Sequence, residues 1–309
     1  MKTEAFSFSG SNGLVIPAVV WLPESEPMAI LQITHGMTEH MDRYESFAEV
    51  LTRAGIAVSA FDLRGHGKHP GDQQVAAFGV DGWEAVLQDM KLFFDLLRDR
   101  FPKIPHYLHG FSLGSFLLRE YLGKYPEGVS GAVILGTGNQ PDWLLGLMQW
   151  VVKGQIKKVG FDGYSPLVRQ LSFGTYNQHF KPNRTEKDWL CSDMHTLDQF
   201  IADPLCRENF SAGLFYQMLG AMRRTGGKHA YRNWDRKLPV LLICGDKDPV
   251  GNMGKGAYAV KHAMEKSGIP VEFHLLEGAR HMVLGEECSG AADMARKWIL
   301  DFLKRGESV

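Results

Sequence analysis

The sequence predicts an α/β fold: a mostly parallel sheet with helices on both faces, interrupted by a helical insertion between two of its later strands. Three observations predict it. Short apolar runs alternate with amphipathic stretches up to Leu135 and again from Pro239 onward. The alternation stops between Gly138 and Gly227. The segment Gly110-Phe111-Ser112-Leu113-Gly114 stands directly between an apolar run and a helix-like stretch.

Along the chain, alternation over Leu14 to Leu22 and the apolar run Met28 to Thr34 predict two strands, the second ending at His35-Gly36. Asp42 to Ala54 reads as a helix closed by Gly55, a residue that tolerates the left-handed turn after a helix. Ile56 to Asp62 is the next strand and runs into the turn-rich Arg64 to Gly71. A helix over Trp83 to Arg100, a strand over Ile104 to His109, a helix over Leu113 to Lys124 and a strand over Val129 to Leu135 follow. After the insertion come a strand (Pro239 to Gly245), a helix (Lys255 to Ser267), a strand (Val271 to Leu276) and a last helix (Ser289 to Lys304). The expected division is 1–138 with 228–309 for the sheet domain and 139–227 for the helical insertion.

Composition narrows the function classes. With 309 residues, 44% of them hydrophobic and 22% charged, the chain can bury one large core and carry an insertion on it. A formal net charge of −1 offers no field that would gather nucleic acid, so no such partner is expected. The N-terminal MKTEAFSFSGSNG lacks an apolar signal core, and no apolar run reaches the roughly 20 residues that span a bilayer. The default expectation is a cytoplasmic protein. Cys191, Cys206, Cys244 and Cys288 are scattered and form no close pair of the metal or redox type.

Open parallel sheets bind ligands beyond the carboxyl ends of their strands. Those places hold His35-Gly36-Met37, the Gly65 to Gly71 loop, Ser112, Asp246 to Asp248, and His281. Ser112 is the candidate nucleophile, because a strand, a sharp glycine-flanked turn and a helix in that order present a hydroxyl to open space. A serine needs a base and a group to orient it, and His281, just past the last strand, is the candidate base. Asp246 and Asp248 both occupy the loop where the orienting acid belongs. Asp248, farther out and followed by the stiff Pro249, is favoured; Asp246 is read as a turn residue. Backbone amides of Leu113 and Met37 are the candidate donors for an oxyanion. His109 is read as structural. His35, His40, His66 and His69 with Asp62 raise the question of a metal, but their spacing matches no strong ligand signature, so neither a metal nor a cofactor is expected.

Taken together, His35 to His40 with Arg43-Tyr44, Asp62 to Gly67, Gly110 to Ser115, Gly245 to Asp248 and Gly278 to His281 resemble the α/β-hydrolase family, in its monoacylglycerol lipase and lysophospholipase-like branch of serine hydrolases. The resemblance spans nearly the whole chain except the middle of the insertion. It implies a Ser112, Asp248, His281 triad, an oxyanion hole at Met37 and Leu113, a cap where the insertion lies, and hydrolysis of carboxylic esters with an apolar acyl group. Phe111 and Leu113 depart from the His and Met common beside the serine. Met37-Thr38 replaces a pair of small residues and alters the pocket.

The apolar stretch Trp143 to Val152, followed by Lys153, Lys157 and Lys158, has two readings: a lid that takes acyl chains or touches a membrane surface transiently, and a helix packed on the sheet domain. Two other functions stay open. A prolyl aminopeptidase-like or amide hydrolase would need acidic groups in the insertion, such as Asp193, Asp198 and Asp203. A non-catalytic binding scaffold would leave the three polar residues without a role.

Overall fold

In the computed structural model, which describes residues 1–69, 75–227 and 229–305, the apolar runs become one eight-stranded sheet. The chain enters as β1 (Lys2–Ser9), β2 (Val15–Leu22) and β3 (Ala29–Thr34), then forms α1 (Glu45–Arg53) and β4 (Ile56–Phe61). A two-residue β5 (Val75–Ala76) precedes α2 (Gly82–Arg100), β6 (His106–Phe111), α3 (Leu113–Lys124) and β7 (Gly131–Leu135). Next come α4 (Asp142–Val159), α5 (Pro166–Phe173), α6 (Met194–Ala202), a two-residue β8 (Asn209–Phe210) and α7 (Ala212–Gly226). The chain closes with β9 (Val240–Gly245), α8 (Lys255–Lys266), β10 (Val271–Leu276) and α9 (Ala291–Arg305).

The strand order is β1-β2-β4-β3-β6-β7-β9-β10. β1 with β2 and β2 with β4 are antiparallel; every other neighbouring pair is parallel. β3, β4, β6, β7 and β9 are buried at every residue, which is why they read as unbroken apolar runs. Their side chains alternate between two cores. Ile30 and Leu108 join one with residues of α2, α3 and α8; Leu31, Ile33 and Tyr107 join the other with residues of α1 and α9. The expected mostly parallel sheet with helices on both faces is the fold observed. β1 was not anticipated: Phe6 and Phe8 alternate with Ser7 and Ser9 along an edge strand too polar to stand out. Pro70 and Gly71 of the expected turn-rich loop, and residue 228 at the expected boundary, lie outside the described residues.

Four α-helices occupy 142–226, between β7 and β9. α4 packs along α7, and α7 lies on α3. β5 and β8 pair in parallel, Val75 with Asn209 and Ala76 with Phe210, a second tie between the two parts of the chain. Arg119 on α3 makes a third. Only 2% exposed, its guanidinium donates to the Gly138 carbonyl at 3.1 Å and the Thr225 carbonyl at 2.7 Å, and also reaches Thr137 Oγ1 and the Tyr231 hydroxyl. It thus holds both ends of the helical segment against α3.

Several histidines are buried beside the strand ends. His35 Nδ1 bonds the Gly36 carbonyl at 2.8 Å while its Nε2 accepts from the Leu63 amide at 3.0 Å, an arrangement that requires the neutral ring. Burial lowers His35 and His109 from 6.5 to about 3, and lowers His66 well below its ordinary value. His109 packs against the rings of Tyr44 and Phe47, beside α1.

Two outcomes follow. Arg119→Met leaves the Gly138 and Thr225 carbonyls without their buried donor, so urea unfolding should show a loss of about 2–3 kcal/mol. Between pH 6.5 and about 3 the unfolded chain binds protons that these histidines refuse in the fold, so stability falls as pH falls through that window. The urea midpoint should be lower at pH 5 than at pH 7, and His109→Phe should narrow the difference.

Candidate active site

At the end of β6 the backbone turns sharply into α3. Ser112, between them, has φ 52° and ψ −116°, a strained conformation for a residue with a side chain. The turn is as tight as its neighbours permit. A Cβ on Gly110 would sit 2.4 Å from the Gly114 carbonyl oxygen, and one on Gly114 only 2.1 Å from the Thr34 carbonyl oxygen. Both flanking positions therefore require glycine, as the sequence pattern implied. The Ser112 amide donates to Leu135 O at 3.1 Å, which anchors the turn to β7. Leu113 opens α3, so its amide is among the helix N–H groups with no acceptor in the helix itself.

Ser112 Oγ lies 2.8 Å from His281 Nε2, and His281 Nδ1 lies 2.9 Å from Asp248 Oδ2. The structure brings together three side chains that the sequence separates by 169 and 33 positions. His281 is 2% exposed and Asp248 fully buried. The other Asp248 oxygen accepts from the Val250 amide at 2.8 Å, so the carboxylate is fixed from both sides. Asp246 points elsewhere: its Oδ1 accepts from the Gly278 amide at 2.7 Å and its Oδ2 meets Lys247. Phe111 and Trp189 flank the imidazole, ring centroids 4.8 and 5.4 Å away. Burial, and after it the charge of Asp248, pushes the Tyr176 phenol well above its ordinary value and the Cys244 thiol up to about 12.

Met37 lines the same cavity as Ser112 and His281. Its loop is shaped by Glu39, 3% exposed, whose Oε1 accepts from the Gly36 amide at 2.6 Å and the Tyr44 hydroxyl at 2.8 Å. Thr38 takes a positive φ of 65° inside that loop. The cavity holds about 80 Å³, and the 139–227 part of its wall comes from Arg169, Phe173, Glu186, Lys187, Trp189, Leu190, Phe200, Glu208 and Phe210. Phe173 stacks on Trp189 at 5.2 Å and meets Phe210 edge-on at 5.3 Å. Phe111, Met282 and Glu39 also line a neighbouring cavity of about 530 Å³.

The sequence reading missed this aromatic wall. It looked to Trp143 to Val152, yet α4 supplies none of the cavity's lining: Leu145 and Val152 are buried while Trp143, Leu147 and Trp150 are exposed. Also missed was the buried carboxylate of Glu286, which accepts from the Arg280 amide at 2.9 Å and the Ser192 amide at 3.0 Å. With the Met282 amide donating to Leu190 O at 2.7 Å, it ties the His281 loop to the 188–192 segment. The acidic groups considered for an amine do not converge. Asp193 caps α6 through the Thr196 amide, Asp198 pairs with Arg184, and Asp203 meets His40. The considered group of histidines does not converge on a cation either, since both nitrogens of His35 are engaged by backbone and Asp62 accepts from the Met41 and Lys68 amides.

Residues 25–288 match the family described as serine aminopeptidase, S33. The chain is 23% identical over 301 residues to the monoacylglycerol lipase of Mycolicibacterium smegmatis, covering 96% of this chain and 97% of that protein. It is 25% identical to human monoglyceride lipase over 270 residues, 85% of this chain and 78% of that one. The crystal structure of a thermostable carboxyl esterase from Bacillus coagulans, in complex with glycerol, superposes with a TM-score of 0.91 at 25% identity over 99% of both chains. The chain has the α/β-hydrolase fold and belongs to the serine aminopeptidase, S33 family.

Proposed function

We propose that the protein hydrolyses carboxylic esters bearing an apolar acyl group, of the monoacylglycerol or lysophospholipid type, through Ser112, His281 and Asp248. The protein is a serine hydrolase of the esterase-lipase kind and a carboxylic ester hydrolase. The observation that carries the finer reading is the unbroken hydrogen-bond line from Asp248 through His281 to Ser112, each step under 3 Å.

Ser112 Oγ attacks the ester carbonyl as His281 Nε2 takes its proton; the carbonyl pair moves onto oxygen, where the amides of Leu113 and Met37 donate to it. Collapse expels the alcohol, which leaves with the proton from His281, and Ser112 keeps the acyl group. Water then adds with His281 again as base, releasing the acid and restoring the serine. Asp248 holds the Nδ1–H tautomer and stabilises the imidazolium that forms in each half. Residues 139–227 act as a cap. Phe173, Trp189, Phe200 and Phe210 desolvate an acyl or aromatic group placed beside Ser112. A cavity of about 80 Å³ is far below the few hundred Å³ of a typical ligand pocket, so a long chain needs this wall to move aside or must extend past Phe111 and Met282 toward the neighbouring cavity of about 530 Å³.

On α4, Trp143, Leu147 and Trp150 recur at helical spacing and are 71%, 53% and 73% exposed. Leu167 and Leu171 of α5 add exposed apolar surface, and Lys153, Lys157 and Lys158 add charge suited to anionic head groups. We assign this face to transient contact with a lipid surface. No helix among the described residues is long and apolar enough to cross a membrane.

Asp248→Asn should lower kcat for p-nitrophenyl butyrate by about 10⁴, as expected when a triad loses its tautomer control, while Asp246→Asn stays within a few-fold of wild type. Turnover should extend to octanoyl esters, monoacylglycerol and lysophospholipid; activity confined to acetyl esters, or preference for prolyl-naphthylamide, would contradict the substrate class. Replacing Trp143 and Trp150 together by Ala should reduce sedimentation with anionic phosphatidylglycerol vesicles and leave hydrolysis of soluble butyrate esters unchanged.

A further inference from the structure

Beside the active-site cavity, where the segment following the Met37 loop meets the end of α6, one donor atom from each of His40, Asp203 and Cys206 lies within 4.8 Å of the other two. We propose that these three side chains form a binding site for a soft divalent cation, zinc by preference, which fastens residues 203–206 of the helical segment to the sheet domain at the base of that loop.

The donor set fits the ion. Imidazole, thiolate and carboxylate are the three side-chain ligands zinc accepts, and the anionic pair Asp203 and Cys206 balances its charge. Asp203 and Cys206 belong to one turn, closed by the Cys206 amide donating to Asp203 O at 3.1 Å, so their spacing is set by backbone. Asp203 Oδ1 is taken by the Leu205 amide at 2.9 Å, which leaves Oδ2 to point at His40 Nε2, 2.7 Å away. Without a cation a single proton bridges those two atoms. With one, Nε2 offers its lone pair, the imidazole proton sits on Nδ1, and the thiol gives its proton to solvent.

The outer surroundings point the same way. His40 is 4% exposed, and its Nδ1 is buried without a hydrogen-bond partner among the described residues. The carboxylate of Asp42, held by Lys68 at 2.7 Å, stands 3.9 Å from that nitrogen, close enough to accept its proton after a small rotation. A carboxylate behind a ligating histidine is the usual means of fixing its tautomer at zinc. There is also a way in: His40 and Asp203 line the cavity of about 530 Å³, which has space for a water as fourth ligand. None of the three residues takes part in the proposed ester hydrolysis, so this site stands or falls independently of that reading.

The test is metal binding by the full chain, with cobalt as the spectroscopic stand-in for zinc. Wild-type protein should bind one Co²⁺ with a thiolate-to-metal charge-transfer band, release it to Zn²⁺, and melt at a temperature that rises with zinc concentration. Cys206→Ser should lose the band and Asp203→Asn the thermal shift, while Asp42→Asn should weaken binding by about 10-fold. Hydrolysis of butyrate esters by the Cys206→Ser variant should match wild type and show that it is folded. Absence of a charge-transfer band in the wild-type protein would overturn the proposal by itself, whatever the variants do. So would zinc binding that survives unchanged in Cys206→Ser and Asp203→Asn.

Discussion

The close approach of backbone to backbone beneath Ser112 sets the terms for the rest of the molecule. A strand that must reverse into a helix within one residue forces Ser112 to a positive φ. That strain persists only because its surroundings over-determine it. Gly114 lies against the Thr34 carbonyl at the end of β3, and Gly110 against the Gly114 carbonyl, so the turn fits only between two parallel neighbours in this register. The Ser112 amide is taken by β7 on the other side. The sheet is therefore the clamp that holds one hydroxyl in place, and the order of its strands decides what else can reach it.

What reaches it comes from the next two strands. β9 and β10 follow β7 in the sheet, and the loops at their carboxyl ends deliver Asp248 and His281 to the same rim. Neither loop is left to itself. Glu286 and the Met282 amide fasten the His281 loop to the 188–192 segment, and Trp189 from that segment covers the imidazole. Burial of the histidine and of its aspartate thus depends on the helical segment as well as on the sheet. The aromatic wall and the dyad are parts of one packed unit.

How much of this was legible in the sequence depended on how local the signal was. The parallel strands were readable because burial on both faces leaves an unbroken apolar run, and Leu113–Lys124 and Val271–Leu276 begin and end where the pattern placed them. Ser112 was readable because its strain leaves a local mark, the paired glycines. That His281 and Asp248 would meet at one rim was readable by position, at the ends of strands already identified. The choice between Asp246 and Asp248 rested on one residue, Pro249, and on distance from the strand. What stayed hidden was set by long-range contact. β1 shows only a four-residue alternation along an edge. Arg119 looks like any helix arginine until Gly138 and Thr225 are seen to meet it. Glu286 and the wall of Phe173, Trp189 and Phe210 are scattered along the chain with no periodicity. The apolar stretch of α4 drew attention instead because local hydrophobicity is conspicuous, although its burial is on α7 and its remaining face is open to solvent.

The central claim, that these three side chains activate one particular hydroxyl, is tested most directly by covalent trapping. Wild-type protein treated with a fluorophosphonate should gain one phosphonyl group per chain, mapped by peptide mass spectrometry to Ser112, and His281→Ala should react at a rate lower by orders of magnitude. An adduct on another residue, or equal labelling with and without the imidazole, would contradict the account.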